Sequence, residues 1–116
     1  MKEQRFLNIN NVRISDPFWS KLQDLVVSTV IPYQYEIMDD KVEGAEKSHA
    51  LENFRIAAGE SEGEFYGMVF QDSDVAKWLE AVAYSLAIKP DPELMAKAEK
   101  VIETIGKAQQ PDGHID

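Results

Sequence analysis

Two amphipathic helical patterns are separated by almost no connecting chain, and this spacing constrains the fold more than any other feature. The connection is Lys89-Pro90-Asp91, whose outer residues also belong to the ends of the two patterns. Pro90 ends the first helix, whereas Asp91 can cap the second and Pro92 suits its first position. We therefore predict two antiparallel helices, over about 72–89 and 91–109, joined as a hairpin. Their apolar faces follow helical spacing: Val75, Trp78, Leu79, Val82, Ala83 and Leu86, then Leu94, Met95, Ala98, Val101, Ile102 and Ile105.

A long helix is predicted to begin at Asp16-Pro17, which repeats the same cap-then-proline start. Pro32 falls inside its pattern and removes one backbone donor, so a kink is expected near Ser28 or Thr29. The apolar stripe of this helix is predicted to pack in the core, Phe18 and Tyr33 included: Phe18, Leu22, Leu25, Val26, Val30, Tyr33 and Ile37.

Two shorter elements complete the predicted organisation. Ser48 is a suitable cap for a helix over 48–58, and Gly59 suits its end. Residues 5–14 alternate loosely between apolar and polar, which predicts one or two short strands with a turn at Asn10-Asn11. The fold class is therefore mainly α, with helical hairpins, and the chain divides into an N-terminal strand segment, 1–15, and a helical part, 16–116.

Charge and composition narrow the classes of partner. The chain of 116 residues is long enough for one core, and it carries 21 acidic and 12 basic residues, a net charge of −9. This balance argues against nucleic acid and against anionic membrane surfaces, both of which require clustered Lys and Arg. It fits a neutral ligand such as a sugar.

Two absences in the sequence exclude further classes. There is no cysteine, which excludes disulfides, thiolate metal sites and cysteine nucleophiles within these 116 residues. No apolar run approaches the roughly 18 residues needed to span a membrane, and residues 1–10 contain no apolar signal core. A cytoplasmic location is the default expectation.

The stretch 65–80 carries the candidate site, because aromatic and polar side chains gather there just before a helix begins. Phe70, Gln71, Asp72 and Asp74 are the residues predicted to approach a ligand. Aromatic faces combined with planar polar groups are typical of sugar binding. The alternative is purely structural: Asp72 or Ser73 caps the helix and the carboxylates favour its dipole, an effect of about 1 kcal/mol.

The remaining candidates point to packing rather than to chemistry. His49 and His114 are the two histidines, and no metal-type spacing links them. His49 is interpreted as a surface or packing residue at a helix start. Trp19 lies off the apolar stripe, so it either packs against the N-terminal segment or meets a partner domain, whereas Trp78 is predicted to be in the core.

From about Val12 onward the chain resembles the N-terminal part of glycoside hydrolase family 127, the β-L-arabinofuranosidases. Several short strings together carry the resemblance: 16–19 (DPFW), 30–34 (VIPYQ), 47–50 (KSHA), 57–60 (AAGE), 67–80, 90–94 (PDPEL), 108–110 (AQQ) and 112–113 (DG). One departure is His114, where family members often carry an aromatic residue.

The resemblance implies an (α/α)6 barrel, of which 16–116 would form a part, and hydrolysis of terminal β-L-arabinofuranosides with retention. It also implies zinc in the full-length family, bound to a cysteine thiolate that acts as nucleophile, with a separate glutamate as acid/base. A thiolate on zinc is deprotonated at neutral pH, which makes it a usable nucleophile. None of these positions can be assigned here, so the expectation is that this chain contains no catalytic residue and no metal ligand.

The leading hypothesis is therefore an N-terminal segment of such an enzyme, inactive alone, which lends part of the barrel wall and cleft rim to an L-arabinofuranoside site. Helix faces meant for other hairpins would stay exposed, and self-association through them is expected. Two alternatives remain open: a small autonomous helical domain that binds a partner, and part of a related toroid enzyme acting on another sugar.

Overall fold

The computed structural model describes residues 5–115, and within this range the regular structure is helical, with no strand. The elements in chain order are a 3-10 turn (Ile9–Asn11), α1 (Pro17–Leu25), a π-helical segment (Val26–Val30), α2 (Ile31–Met38), α3 (Ala50–Ala57), α4 (Asp72–Ile88) and α5 (Pro92–Ala108). No helix in this part of the chain is both long enough and apolar enough to cross a bilayer.

Aspartate side chains cap two of the helices as predicted. The Asp16 carboxylate accepts hydrogen bonds from the backbone N–H groups of Phe18 and Trp19, at 3.0 and 2.9 Å. The Asp91 carboxylate accepts two bonds of 3.1 Å at the start of α5. The predicted hairpin is confirmed, because α4 and α5 contact each other and only three residues separate them.

The helical path through Pro32 continues without a break but changes its hydrogen-bond pattern. Ser28 and Thr29, where the kink was predicted, lie in the π-helical segment, and the N–H of Ile31 bonds to the carbonyl of Val26, five residues earlier. The kink itself stays a prediction; what the structure shows at these residues is a widened turn. Proline lacks a donor for the regular bond, and a π turn is one way to accommodate that loss.

Helix α4 lies at the centre of the core, because it contacts α2, α3, α5 and the 3-10 turn. Its Val75, Trp78 and Val82 are almost fully buried. The Trp78 indole N–H also donates a buried hydrogen bond of 3.0 Å to the backbone carbonyl of Ile31 at the start of α2. Trp78 therefore joins two helices by packing and by a polar contact at once.

The predicted N-terminal strand or hairpin is wrong. Residues 5–14 are exposed, and around Asn10 they form a 3-10 turn in which the Asn8 side chain accepts from the Asn10 N–H at 3.0 Å. A strand needs a neighbour to satisfy its backbone groups, and no described residue offers one. Residues 1–4 of the predicted 1–15 segment lie outside the described range.

The predicted burial of the α1–α2 stripe is also wrong for several members. Phe18 and Tyr33 are exposed, as are three other members of the stripe: Leu22, Leu25 and Val26. On α2, Ile31, Tyr35 and Met38 are buried instead. A π turn holds more residues than an α turn, so Tyr33, which follows it, is rotated away from the regular pattern that the sequence suggested. The other four residues precede the π turn or begin it, and their exposure has a different cause. We define the exposed stripe as these five exposed residues.

An ion cluster fastens the end of α2 to α3. The Asp39 carboxylate, with only 4% of the side chain exposed, accepts from Arg55 and from Lys41 at 2.5 Å each. Burial alone raises the pKa of Asp39, but the hydrogen bonds and positive charges of Lys41 and Arg55 outweigh it and leave that pKa below its usual value.

Replacing Trp78 with phenylalanine is expected to lower the free energy of unfolding by about 2 kcal/mol, because the Ile31 carbonyl loses a buried donor and a cavity forms. Urea unfolding followed by circular dichroism measures the change. Trp19→Phe is the matched control: Trp19 is exposed, so a change within about 0.5 kcal/mol is expected. Equal losses in the two variants would contradict the role given to Trp78.

Asp39→Asn is expected to lower the free energy of unfolding by about 2 kcal/mol at pH 7. Because the folded-state pKa is depressed, the contribution of Asp39 is present above the unfolded-state pKa of about 4 and is lost as pH falls through the folded-state value. The gap between the variant and the unsubstituted chain should therefore close in urea titrations towards pH 3. The exposed Asp24→Asn serves as control; a pH-independent gap would refute the assignment.

Candidate functional site

A run of exposed apolar side chains precedes α4. Residues 65–70, here called the aromatic loop, contain five large apolar side chains with exposed fractions between 54% and 83%: Phe65, Tyr66, Met68, Val69 and Phe70. A contiguous patch of exposed apolar side chains often marks a binding site, because soluble proteins seldom leave a large patch of this kind uncovered. The aromatic loop is therefore a candidate for contacts with a ligand.

The segment that leads to the aromatic loop is tied to α5 and α3. Glu60 accepts from the Thr104 hydroxyl at 3.0 Å and from the Lys107 ammonium group at 2.9 Å. The Ser61 hydroxyl donates to Glu52 on α3, and this hydrogen bond, followed by that from Arg55, lowers the pKa of Glu52. These contacts fix where the chain leaves α3.

Asn53 on α3 holds the middle of the aromatic loop. Its side-chain amide donates to the Tyr66 carbonyl at 2.8 Å, and its carbonyl oxygen accepts from the Tyr66 N–H at 3.1 Å. The Tyr66 ring also packs on the His49 ring, with 4.6 Å between centroids. The aromatic loop is thus held through both the backbone and the side chain of Tyr66.

A tight turn closes the aromatic loop at the start of α4. Gly67 has a φ of 96°, and a Cβ there would overlap with Oε1 of Gln71 and lie 3.0 Å from the Ser48 carbonyl oxygen. Oε1 of Gln71 accepts from the Met68 N–H at 2.8 Å. Of the predicted ligand residues, Gln71 therefore makes a hydrogen bond within the turn itself.

The predicted capping of α4 by Asp72 or Ser73 is wrong in detail. The residue before the helix is Gln71, and its side chain makes no capping bond to the helix. Asp72 is the first helical residue and accepts from the Ser73 N–H at 2.7 Å, while the Ser73 hydroxyl donates back to the Phe70 carbonyl at 2.7 Å. Both polar groups stabilise the turn locally.

Asp72 lies in a cleft between the aromatic loop and α3. The cleft has a volume of about 410 Å³, within the range of about 300–1,000 Å³ that small-molecule sites occupy. Its walls are mainly apolar, with two polar side chains, Asp72 and Asn53. The lining residues are Ala50, Asn53, Phe54, Ile56, Ala57, Phe65, Val69 and Asp72. We call it the α3 cleft.

Asp74 lines a different depression, of about 640 Å³, between α2 and α4. Its carboxylate is paired with Lys77 at 3.3 Å and is more than half exposed. The lining residues of this depression are Tyr33, Gln34, Ile37, Met38, Asp74, Lys77, Trp78 and Ala81. The structure therefore separates Asp72 from Asp74, and Phe70 and Gln71 line neither depression. A role for any of these four residues in ligand binding stays a prediction.

His49 has a conformation that its sequence position does not suggest. Its φ is 54°, in the left-handed region that non-glycine residues seldom adopt. The Asp40 carboxylate supports it by accepting from the N–H groups of Ser48 and His49, at 2.8 and 3.1 Å. The interpretation of His49 as a packing residue agrees with its contact to Tyr66.

Among residues 5–115, no group of three or more histidine, cysteine, aspartate or glutamate side chains is arranged to hold a metal ion. The family resemblance calls for a thiolate-bound zinc, and the sequence contains no cysteine. The donors present in this segment therefore do not fit that metal site.

Comparison with known proteins finds similarity to beta-L-arabinofuranosidases. The family model for the "Beta-L-arabinofuranosidase, GH127 catalytic domain" matches residues 11–116. The non-reducing end beta-L-arabinofuranosidase of Bifidobacterium longum subsp. longum is 48% identical over 91% of this chain. The crystal structure of a GH127 beta-L-arabinofuranosidase from Geobacillus stearothermophilus T6 superposes with a TM-score of 0.89, at 64% identity over 91% of the chain. The chain spans 18% and 17% of the lengths of these two relatives.

Gly67→Ala is expected to destabilise the chain by more than about 1 kcal/mol, because alanine is strained at positive φ and its Cβ would displace Gln71. Gly106→Ala is the matched control. Gly106 lies inside α5, and the space that a Cβ would occupy there is open, so the substitution should stabilise by about 0.5–1 kcal/mol. Thermal unfolding of both variants tests this, and a stabilised Gly67 variant would show that the turn is not constrained as described.

Proposed function

The chain belongs to the GH127 catalytic-domain family of beta-L-arabinofuranosidases, and on that premise we propose that it acts as the N-terminal helical segment of a retaining glycoside hydrolase for terminal β-L-arabinofuranosides. The observation that carries the proposal is the family match over residues 11–116. The 64% identity to the Geobacillus enzyme supports it further, because that protein is a beta-L-arabinofuranosidase by name.

In this proposal the segment contributes to the wall and rim of the sugar site. The α3 cleft combines the Phe65 ring with the amide of Asn53 and the carboxylate of Asp72. A furanoside presents both C–H surface and hydroxyl groups, which suits an apolar wall with a small number of planar polar groups. The net charge of −9 is also compatible with a neutral sugar.

The chemical step is proposed to use groups outside these 116 residues. A zinc-bound thiolate as nucleophile requires a cysteine, and this sequence has none. The donors of the segment do not fit the metal site, so no step of the reaction is assigned to its side chains. Their proposed task is to bind and orient the sugar and to limit the access of water.

The exposed stripe on α1 and α2 fits the same proposal. Its members leave a broad apolar surface uncovered, and such surfaces usually pack against another element. In the proposed enzyme, further helices of an (α/α)6 barrel cover it. Self-association through the exposed stripe is what we expect of the 116 residues when those helices are absent.

The proposal is tested with a hybrid in which residues 11–116 replace the matched segment of the Geobacillus enzyme. We expect the hybrid to hydrolyse an aryl β-L-arabinofuranoside and the 116-residue chain alone to give no turnover. In the hybrid, Asp72→Asn should raise KM about tenfold, the effect of losing a charged hydrogen bond of about 1.4 kcal/mol.

Asp24→Asn is the control for the hybrid, because Asp24 is an exposed aspartate on α1, and it should leave KM unchanged. A folded hybrid without activity would contradict the proposed function. Turnover by the isolated chain would contradict the assignment of the chemical step to groups outside it.

A further inference from the structure

Asn53 pairs with the aromatic loop in an unusual way for a side chain. Its amide makes both a donor and an acceptor contact to one residue, Tyr66, at 2.8 and 3.1 Å. These are the two contacts that a neighbouring β-strand would offer to an extended residue. Asn53 thereby makes the two backbone contacts that a neighbouring strand would make, and it holds the aromatic loop against α3.

The same side chain faces the α3 cleft. Asn53 lines it from α3, Phe65 and Val69 line it from the aromatic loop, and Asp72 lines it from the start of α4. A change in the Asn53–Tyr66 pairing must therefore alter the distance between the loop wall and the α3 wall, because Tyr66 directly follows Phe65 in the chain.

Neighbouring contacts show that the pairing has a defined geometry. The His49 ring packs on the Tyr66 ring, and a Cβ at Gly67 would lie 3.0 Å from the Ser48 carbonyl oxygen, which is a tight contact. Both contacts come from the residues just before α3. Together these contacts attach the aromatic loop to α3. Asn53 supplies the polar part of this attachment and lies about one helical turn after His49.

We propose that Asn53 is a positioning residue for sugar binding. It holds Tyr66, and with it the neighbouring Phe65, so that the loop wall of the α3 cleft keeps its place opposite the α3 wall. This inference rests on the proposed function, because it takes the α3 cleft to be part of the arabinofuranoside site.

Asn53→Asp tests the donor contact and the acceptor contact of the pairing separately, because aspartate has nearly the same shape as asparagine. The aspartate can still accept from the Tyr66 N–H, but its carboxylate cannot donate to the Tyr66 carbonyl at pH 7. Protonation at low pH restores one O–H donor, and a carbonyl oxygen opposite the carboxylate raises its pKa above the usual value of about 3.9.

The test uses the hybrid described above and measures its KM for an aryl β-L-arabinofuranoside at pH 7 and at pH 4, with the apparent affinity taken as 1/KM. At pH 7, Asn53→Asp should weaken the apparent affinity about tenfold, equivalent to about 1.4 kcal/mol. At pH 4 the ratio of the two KM values should fall towards one. The ionisable groups around the attachment are the same in both hybrids, so the ratio isolates residue 53: Asp40, His49, Glu52, Tyr66 and Asp72.

Gln23→Glu is the matched control, because it adds the same charge on α1 and should leave the affinity unchanged at both pH values. If Asn53→Asp fails to fold by circular dichroism, Asn53→Gln replaces it: it keeps the amide and the charge but moves the polar atoms by one methylene, and the affinity should still fall at pH 7.

Three results would overturn the inference. Equal affinity of the substituted and unsubstituted chains at pH 7 would remove Asn53 from sugar binding while leaving the proposed function intact. A loss of affinity that does not recover at pH 4 would mean that the donor to Tyr66 is not what matters. A hybrid that folds but does not turn over the substrate would contradict the proposed function, and the inference with it.

Discussion

The contact between Trp78 and the start of α2 is the interaction on which the rest of the structure depends. The Trp78 indole packs against the Tyr35 ring, at 5.1 Å between centroids, and donates to the Ile31 carbonyl. Because α4 also contacts α3 and α5, Trp78 connects α2 to the central helix of the core. A buried aromatic ring with a satisfied N–H stabilises and orients the helices at once.

The core formed around α4 is one-sided. It buries α2, α3 and α5 on the faces that meet α4, while the exposed stripe of α1 and α2 remains open to solvent. Such an arrangement is typical of one part of a larger helical assembly, in which each helix layer needs a neighbour on both sides. The exposed stripe and the family relationship therefore have the same physical explanation.

The sequence pattern predicted the place of the candidate site but not its geometry. The string 65–80 indicated a ligand-binding rim, and the structure does contain a cleft there with Asp72 in its wall. Asp72 and Asp74 are two positions apart on one helix, which turns them towards different depressions. Asn53 could not be found from sequence, because its partner Tyr66 is thirteen residues away and the adjacent polar pair Glu52-Asn53 is typical of an ordinary helix surface.

The sequence by itself determined the helices and the family. Asp16 and Asp91 before prolines start helices through contacts within one turn, so local physics is sufficient. The burial along α1 and α2, and the geometry of the candidate site, were decided only by the tertiary structure. Whether Tyr33 or Tyr35 enters the core depends on the π-helical segment and on where α4 lies. The geometry of the α3 cleft depends on a side chain reaching a distant backbone, which no local propensity encodes.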